Sequence, residues 1–545
     1  MKLKYLLMGA LVGVAFTACT NDDEPAVNGP SRSADAKDYV AVKIVMPGEA
    51  STRAWDDDLS TGYAVGSEAE DAVTKALFFF MKNGTQVADP YEITAGDNGN
   101  MEALEGTILN PWTDGTEKTI DKLSKVVVVL ANKVEDPTEI IAVLNAGLSD
   151  LGLSKTSTLG DIQAVVADYA AEAMTTSGKF VMSSSIYDEV RTVVGAHVEK
   201  VYKTVEEAKA AASVRIPVER VVAKVEVTTD GATQNTGNSE DATKPSTTVS
   251  IDGTDVTITA EINGWWLDNT PSQSLLVKKL DASYTVEGTA LDKSWYDNAT
   301  NYRSYWATPS TGTLNHFAWQ TNAGDARYTL ENTDQANPTQ VVVAATLKVD
   351  NKAVDLVKYM GVLYTQEGFN TELANVLAHK YWTKDGDTYK TVGTADIEFT
   401  YTKKTDPQYE AEVTLAKKDA AAVWYVKGTG ETYSEADPAT DFTALKRTVQ
   451  FWNGGKTYYF VQIVQNDDIT VGTGDKAHEL YGVIRNHWYK ITAKSVNGLG
   501  TPVPFADDDT TPIIPVIPED EHSYISAEIA ILKWKVVEQD VDLGK

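Results

Sequence analysis

The sequence predicts a mostly β protein with a few helices, arranged as two tandem β-sandwich domains plus a C-terminal tail strand. Three observations carry that expectation. Short runs of β-branched and aromatic residues recur, separated by turn pairs such as Asn83-Gly84, Asp252-Gly253, Asn263-Gly264, Asp385-Gly386, Asn453-Gly454 and Asn497-Gly498. Helical periodicity is confined to three stretches, residues 138–151, 159–174 and 371–379. A Thr-, Ser-, Asn- and Gly-rich stretch at residues 228–246 divides the chain, and five of its 18 prolines (Pro502, Pro504, Pro512, Pro515 and Pro518) set off the last segment.

At the N-terminus, Lys2 and Lys4 precede an apolar stretch at residues 6–16, then Thr17, Ala18 and Cys19. This is the layout of a secretory signal, too short for a stable membrane anchor. Cys19 is the single cysteine of 545 residues, so neither an intramolecular disulfide nor a cysteine-based metal site is open to this chain. Phe16-Thr17-Ala18-Cys19 resembles a bacterial lipobox, cut before Cys19, which then receives lipid; an ordinary signal peptide with a chance cysteine is the bland reading. The following Asp22-Asp23-Glu24 reads either as a surface-export signal of Bacteroidota lipoproteins or as a solvated spacer. Elsewhere the greasiest runs, residues 77–81 and 126–130, are five residues each and read as buried strands.

After a polar tether, residues 39–46 alternate as a strand with Val40, Val42, Ile44 and Met46 on one face, closed by Pro47-Gly48. Strands follow at residues 73–81, 125–130 and 215–228, with the first two helical stretches as covers packed on a sheet. From residue 247 onward the chain is mostly strands, with a helix near 371–379. The expected organisation is a signal at 1–19, a propeptide with a leader strand at 20–53, β-sandwich domains at 54–230 and 231–505, and a Pro-rich linker and tail at 506–545.

The two terminal strands share one pattern. Residues 39–46 match residues 524–531 without a gap, so that Val40, Val42, Ile44 and Met46 correspond to Ile525, Ala527, Ile529 and Ile531. On the other face Tyr39 meets Tyr524, and the charge of Lys43 meets the charge of Glu528. Because strand side chains alternate faces, a slot that accepts one strand accepts the other in the same register. Only Arg32 and Arg53 precede Arg191, and Arg53-Ala54 lies in a stretch of small and acidic residues suited to proteolysis. Cutting there removes the leader strand and opens a groove that a neighbouring copy's tail can fill, a head-to-tail contact that grows a filament.

These residues resemble the type V pilins (fimbrillins) of Bacteroidota, in particular the Mfa-type shaft branch, over nearly the full length. The resemblance rests on the lipobox at Cys19, YVAVKIVMPGEASTRA ending at Ala54, IPVERVVAKVEV from Ile216, YGVIRNHWYKITAKSVNGLG from Tyr481, and YISAEIAILKWKVVEQDVDL from Tyr524. It implies transthyretin-like sandwiches and a surface fimbria shaft subunit that is exported to the outer membrane as a lipoprotein and matured by an Arg-specific protease. It further implies polymerisation by strand exchange with its own kind, company with anchor and tip subunits, and adhesion to host or bacterial surfaces.

Other chemistries find little footing. With 48 Lys plus Arg against 78 Asp plus Glu, the net charge is −30, which repels polyanions and argues against nucleic acid. There is no His-Glu-x-x-His, Gly-x-Ser-x-Gly or Walker loop, and His197, His316, His379, His478, His487 and His522 are scattered, so no enzyme activity, metal or cofactor is expected. Asp56-Asp57-Asp58 and Asp507-Asp508-Asp509 lack calcium-loop spacing and read as solvated charge. The alternative function is a surface lipoprotein that binds glycans, with Trp265, Trp266, Trp295, Tyr296, Trp306 and Trp319 as stacking platforms.

Overall fold

Turn residues that tolerate left-handed backbone divide the apolar runs into strands, and the strands assemble into four main sheets. The computed structural model describes residues 38–45, 67, 70, 73–94, 125–168, 180–184, 195–211, 214–229, 234–235, 247–277, 285–286, 289–290, 314–315, 326–405, 409–465, 470–471, 478–496, 498–503, 526–530 and 535–543. All of them belong to the second of the chain's two units, Lys37–Lys545. Cys19, Met46, Arg53, Ala54, Ile525 and Ile531 lie outside the described residues, as do the acidic triplets at 22–24, 56–58 and 507–509.

The elements used below are β1 (Asp38–Val45), β2 (Lys75–Lys82), β3 (Lys125–Leu130), β4 (Glu139–Leu144), α1 (Leu159–Ala164), β5 (Met182–Ser184), α2 (Val205–Ala210), β6 (Val214–Arg220) and β7 (Val222–Thr229). Further along come α3 (Gln366–Ala378), α4 (Ala439–Ala444), β8 (His487–Val496), β9 (Ser526–Ala530) and β10 (Lys535–Leu543). The first sheet runs in the order Thr85–Gln86, β2, β4, β5, β6, β1, β3. Residues Ala76 to Met81 of β2 are all buried, which an apolar run on both faces requires. Asn83 (φ 52°) and Gly84 (φ 75°) then turn the chain back, as Asn-Gly does in a tight hairpin.

Two expected helices differ. Residues 138–151 hold the strand β4, paired with β2, followed by turns. Every position from Ile140 to Leu144 is buried, and a short β-branched run covered on both faces has no periodicity that separates strand from helix. In 159–174 the helix stops at Ala164, where Val165 turns extended, and Val166–Asp168 pairs with Gln273–Leu275 instead. Its start was legible: Thr158 Oγ1 accepts from the Asp161 N–H while the Asp161 carboxylate accepts from the Thr158 N–H, a capping box.

The strand expected over residues 215–228 is two strands in two sheets. β6 lies within the first sheet between β5 and β1, and after the fully buried Val221 the chain enters a five-stranded sheet ordered Arg327–Leu330, β7, β8, β9, β10. The largest sheet runs from Ile397–Lys403 to Thr501–Pro502, with Thr254–Asp268, Gln340–Val349 and Lys456–Gln462 side by side. Asn263-Gly264 sits inside the first of these, where the register steps between Ile262 and Gly264; it is a β-bulge, not the expected turn. Gly455, at φ 70°, approaches the Leu347 carbonyl so closely that a Cβ there would lie 2.2 Å from the oxygen. A continuous core joins Val40, the β2 phenylalanines, Val222, Trp265, Val341 and Ile491. A second forms beneath α3 from Phe369, Leu373 and Leu377, at helical spacing, together with Trp424 and Phe451.

Candidate functional site

The leader strand is an internal strand. β1 runs parallel to β6, with Val42 opposite Val214 and Ile44 opposite Ile216. On its other side it runs antiparallel to β3 from Asp38 opposite Leu130 to Lys43 opposite Lys125. Val40 is 1% exposed and belongs to the core with Val128, Leu130, Ile216 and Val218. Of the expected leader residues, Val42 is paired on both sides, Val40 on the β3 side opposite Val128, and Ile44 on the β6 side opposite Ile216, so the two ladders overlap at Val42 and Lys43. Helix α2 lies against β1 and β3, its start fixed by Thr204 Oγ1 accepting from the Glu207 N–H at 3.1 Å.

The wall strand β6 changes partner halfway. Its residues Val214 to Pro217 pair with β1, and Val218 to Arg220 pair with β5. Pro217, which has no N–H to give a ladder, stands at the changeover. Taking β1 away therefore leaves β6 held from Val218 onward while the backbone of Val214 to Pro217 and the facing edge of β3 lose their partner.

The tail lies on the five-stranded sheet. β10 pairs in parallel with β8 from His487 opposite Lys535 to Val496 opposite Leu543, and β9 folds back antiparallel on β10 from Ser526 opposite Val541 to Ala530 opposite Val537. Ala527 and Ile529, two of the expected donor residues, are in β9, and Ile529 also stands opposite Ile491 of β8. Leader and tail strands thus occupy different sheets, whose connection is the β6–β7 step.

That step is built around buried charge. Arg220, 2% exposed, donates from Nε to the Glu70 carbonyl at 3.1 Å and from Nη1 to Asn486 Oδ1 at 3.0 Å. The Glu70 carboxylate, 1% exposed, accepts from Lys224 Nζ at 2.8 Å, the Tyr328 hydroxyl at 2.6 Å and the Ser67 N–H. Burial pushes the Glu70 carboxyl upward, but the Lys224 charge and these hydrogen bonds outweigh it and hold the group below its ordinary range. Burial beside Glu70 also raises the Tyr328 hydroxyl, so it remains a donor. Next to Asn486, the wholly buried Arg485 donates to the Leu275 carbonyl at 2.6 Å, the Leu276 carbonyl at 3.1 Å and Ser274 Oγ at 3.1 Å, while Glu331 takes its N–H at 3.0 Å. His487 is buried, its Nδ1–H given to the Arg485 carbonyl at 2.9 Å.

Sequence reasoning assigned no role to Glu70, Arg220, Arg485 or Asn486. The available signal was the pair Arg485-Asn486 within an otherwise strand-forming run. The tryptophan platform is corrected: Trp265 and Trp266 are 1% and 0% exposed and belong to the core, so no sugar reaches them. Trp295, Tyr296, Trp306 and Trp319 lie outside the described residues.

Residues 450–540, which include β8, β9 and most of β10, match the family described as major fimbrial subunit protein type IV, fimbrillin, C-terminal. The C-terminal part of the chain is that of a fimbrillin. Among solved structures, this chain is similar to the fimbrilin FimA of Porphyromonas gingivalis at 14% identity, with 88% of this chain and 94% of that one covered and a TM-score of 0.33. It is also similar to the tip fimbrial protein Mfa3 of the same species, at 11% identity, with 85% and 95% covered and a TM-score of 0.29. A fimbrial assembly protein from Parabacteroides distasonis gives 12% identity, 73% and 100% covered, and a TM-score of 0.27. At such values the three superpositions add nothing to the family match.

Proposed function

We propose that this fimbrillin is a shaft subunit of a cell-surface fimbria. In this reading it is exported as an outer-membrane lipoprotein through Cys19 and cut between Arg53 and Ala54. It then polymerises when residues 525–531 of one copy enter the slot that β1 leaves in the next. Its two tandem sandwich domains then form the repeating unit, with anchor and tip subunits at the ends and surface receptors as targets.

The observation that carries the reading is the position of β1: a strand bonded on both sides, followed within eight residues of its end by Arg53, and matched in pattern by the tail. Removing it opens two ladders at once, and a strand with the same apolar face restores both. Burial of three isoleucine side chains at about 1.5–3 kcal/mol each gives a joint of about 5–9 kcal/mol before ordering costs, with Ala527 adding little. The joint is heterologous and does not close, so it extends into a fibre.

The test is to cut the purified full chain with an Arg-specific protease and follow size by light scattering and electron microscopy. Fibres that need both the cut and residues 523–545, with Ala54 as the new N-terminus, support the proposal. A chain that stays monomeric after clean cleavage at Arg53 overturns it. Ile529→Asp is expected to abolish fibres while the precursor still folds.

A further inference from the structure

The row of the slot at Lys43 carries a charge pattern that the leader strand does not suit. Register places Lys43 directly opposite Lys125 on β3 and directly opposite Arg215 on β6. Three basic residues therefore share one cross-strand row, and like charges in directly opposed positions destabilise a strand pair. The flanking rows on that side of β1 are Ala41 with Val127 and Val45 with Pro217. In the ungapped match of leader and tail, the residue that falls at the Lys43 position is Glu528.

We propose that this basic row selects the incoming strand: the tail of a neighbouring copy docks in the register that sets its Glu528 between Lys125 and Arg215. Exchange then replaces two like-charge oppositions by two opposite-charge ones. The inference rests on the strand-exchange reading and supplies what that reading lacks, a reason for the tail to win. The apolar faces do not supply it, because Val40, Val42, Ile44 and Met46 are near equivalents of Ile525, Ala527, Ile529 and Ile531, and Ala527 is the smaller at its place. In the tail's place on its own chain, Glu528 stands opposite the uncharged Gln539. Register is fixed by the same row, since a two-residue slip keeps the apolar face but puts Ser526 or Ala530 between the two cations.

The test uses the full chain, cut at Arg53, with assembly followed by light scattering and electron microscopy. Glu528→Lys is expected to slow assembly about tenfold or more, with an unchanged precursor melting temperature. The gap should narrow as salt rises, because salt screens the attraction between the paired charges. The fully inverted row, K43E/K125E/R215E/E528K, is expected to restore assembly. If E528K forms fibres as fast as the unaltered chain, the row does not select the strand, although strand exchange stands. A loss in E528K that the inverted row fails to restore also overturns the inference, since the defect is then not one of pairing. If the unaltered chain forms no fibres after clean cleavage, the strand-exchange reading fails and this inference with it.

Discussion

Arg220 reaches one oxygen of Asn486 twice, from its backbone N–H at 3.4 Å and from its guanidinium Nη1 at 3.0 Å, although 266 positions separate the two residues. Asn486 in turn donates its own N–H to the Val222 carbonyl at 2.7 Å, so the β6–β7 step is clamped to the entrance of β8. Asn486→Ala removes the acceptor and leaves a buried cation short of a partner, and substitution also meets the left-handed backbone at φ 57°. A loss of about 2–4 kcal/mol is expected, to be read as a lower denaturant midpoint. A change below about 0.5 kcal/mol would show that the clamp is replaced by solvent or neighbouring groups.

Glu70 gives the fold a definite acid response. Its carboxyl is held below the ordinary value in the folded chain, so the stability it contributes is fully present above the unfolded value of 4.5 and is lost as pH falls below that value and through the lower folded one. Glu70→Gln leaves Lys224 without its carboxylate and is expected to cost about 3 kcal/mol near neutral pH. The difference between the variant and the parent should shrink below pH 4.5. Melting curves from pH 7 to pH 3 check the sign; a gap that widens on acidification contradicts it.

A small four-stranded sheet, ordered Thr388–Thr391, Trp382–Asp385, Trp424–Lys427 and Tyr433–Ala436, is closed by rings from its two outer strands. Tyr389 and Tyr433 stack at 3.8 Å with 5° between their planes, and Tyr425 meets Tyr389 edge-on at 5.1 Å. Outer strands of a flat sheet of four would hold these rings too far apart, so the sheet must curl. A double-mutant cycle on Tyr389→Leu and Tyr433→Leu should give a coupling of about 0.5–1.5 kcal/mol. Strict additivity would mean that the stack contributes nothing beyond buried area.

Met360 is the exception among the nine described non-glycine residues with positive φ, the other eight being Asn or Asp. It stands at φ 50° in the hairpin turn with Gly361 and is 85% exposed. Met360→Asn supplies the residue that such a turn favours and is expected to raise stability by about 0.5–1 kcal/mol, seen as a higher melting temperature. A lower one would indicate contacts that the exposed side chain makes elsewhere.

Much of this fold is legible in the sequence because local chemistry decides it. The run at residues 125–130 is a strand with those bounds, and the turns at Asn83-Gly84 and Asp252-Gly253 fall where residues that accept positive φ require them. What local pattern cannot decide is which neighbour covers a segment. The run Glu139–Leu144 became a strand because β2 and β5 flank it, and Asn263-Gly264 remained within a ladder because Gln340–Val349 continues past it on both sides. The slot was half legible: alternation identified β1 and its apolar face, while its neighbours β6 and β3, 172 and 82 positions away by the registers of Lys43 with Arg215 and with Lys125, appear only in three dimensions. Buried Glu70, Arg220 and Arg485 were invisible for the opposite reason, since charge ordinarily marks a surface.

The two-sided seat of β1 also sets how the proposed fibre carries load. A tail strand in that seat is pulled by its linker along its own axis, so the bonds to β6 and to β3 are sheared together instead of being opened one after another. Force that enters β6 passes through Val221 into β7, and through Arg220 and Asn486 into β8, whose chain continues through Thr501–Pro502, paired with Lys456–Gln462, toward the next tail. Tension thus runs strand to strand along the whole subunit, and the hydrogen-bonded β6–β7–β8 path, not the α3 and α4 region, is the part of each copy that must resist stretching.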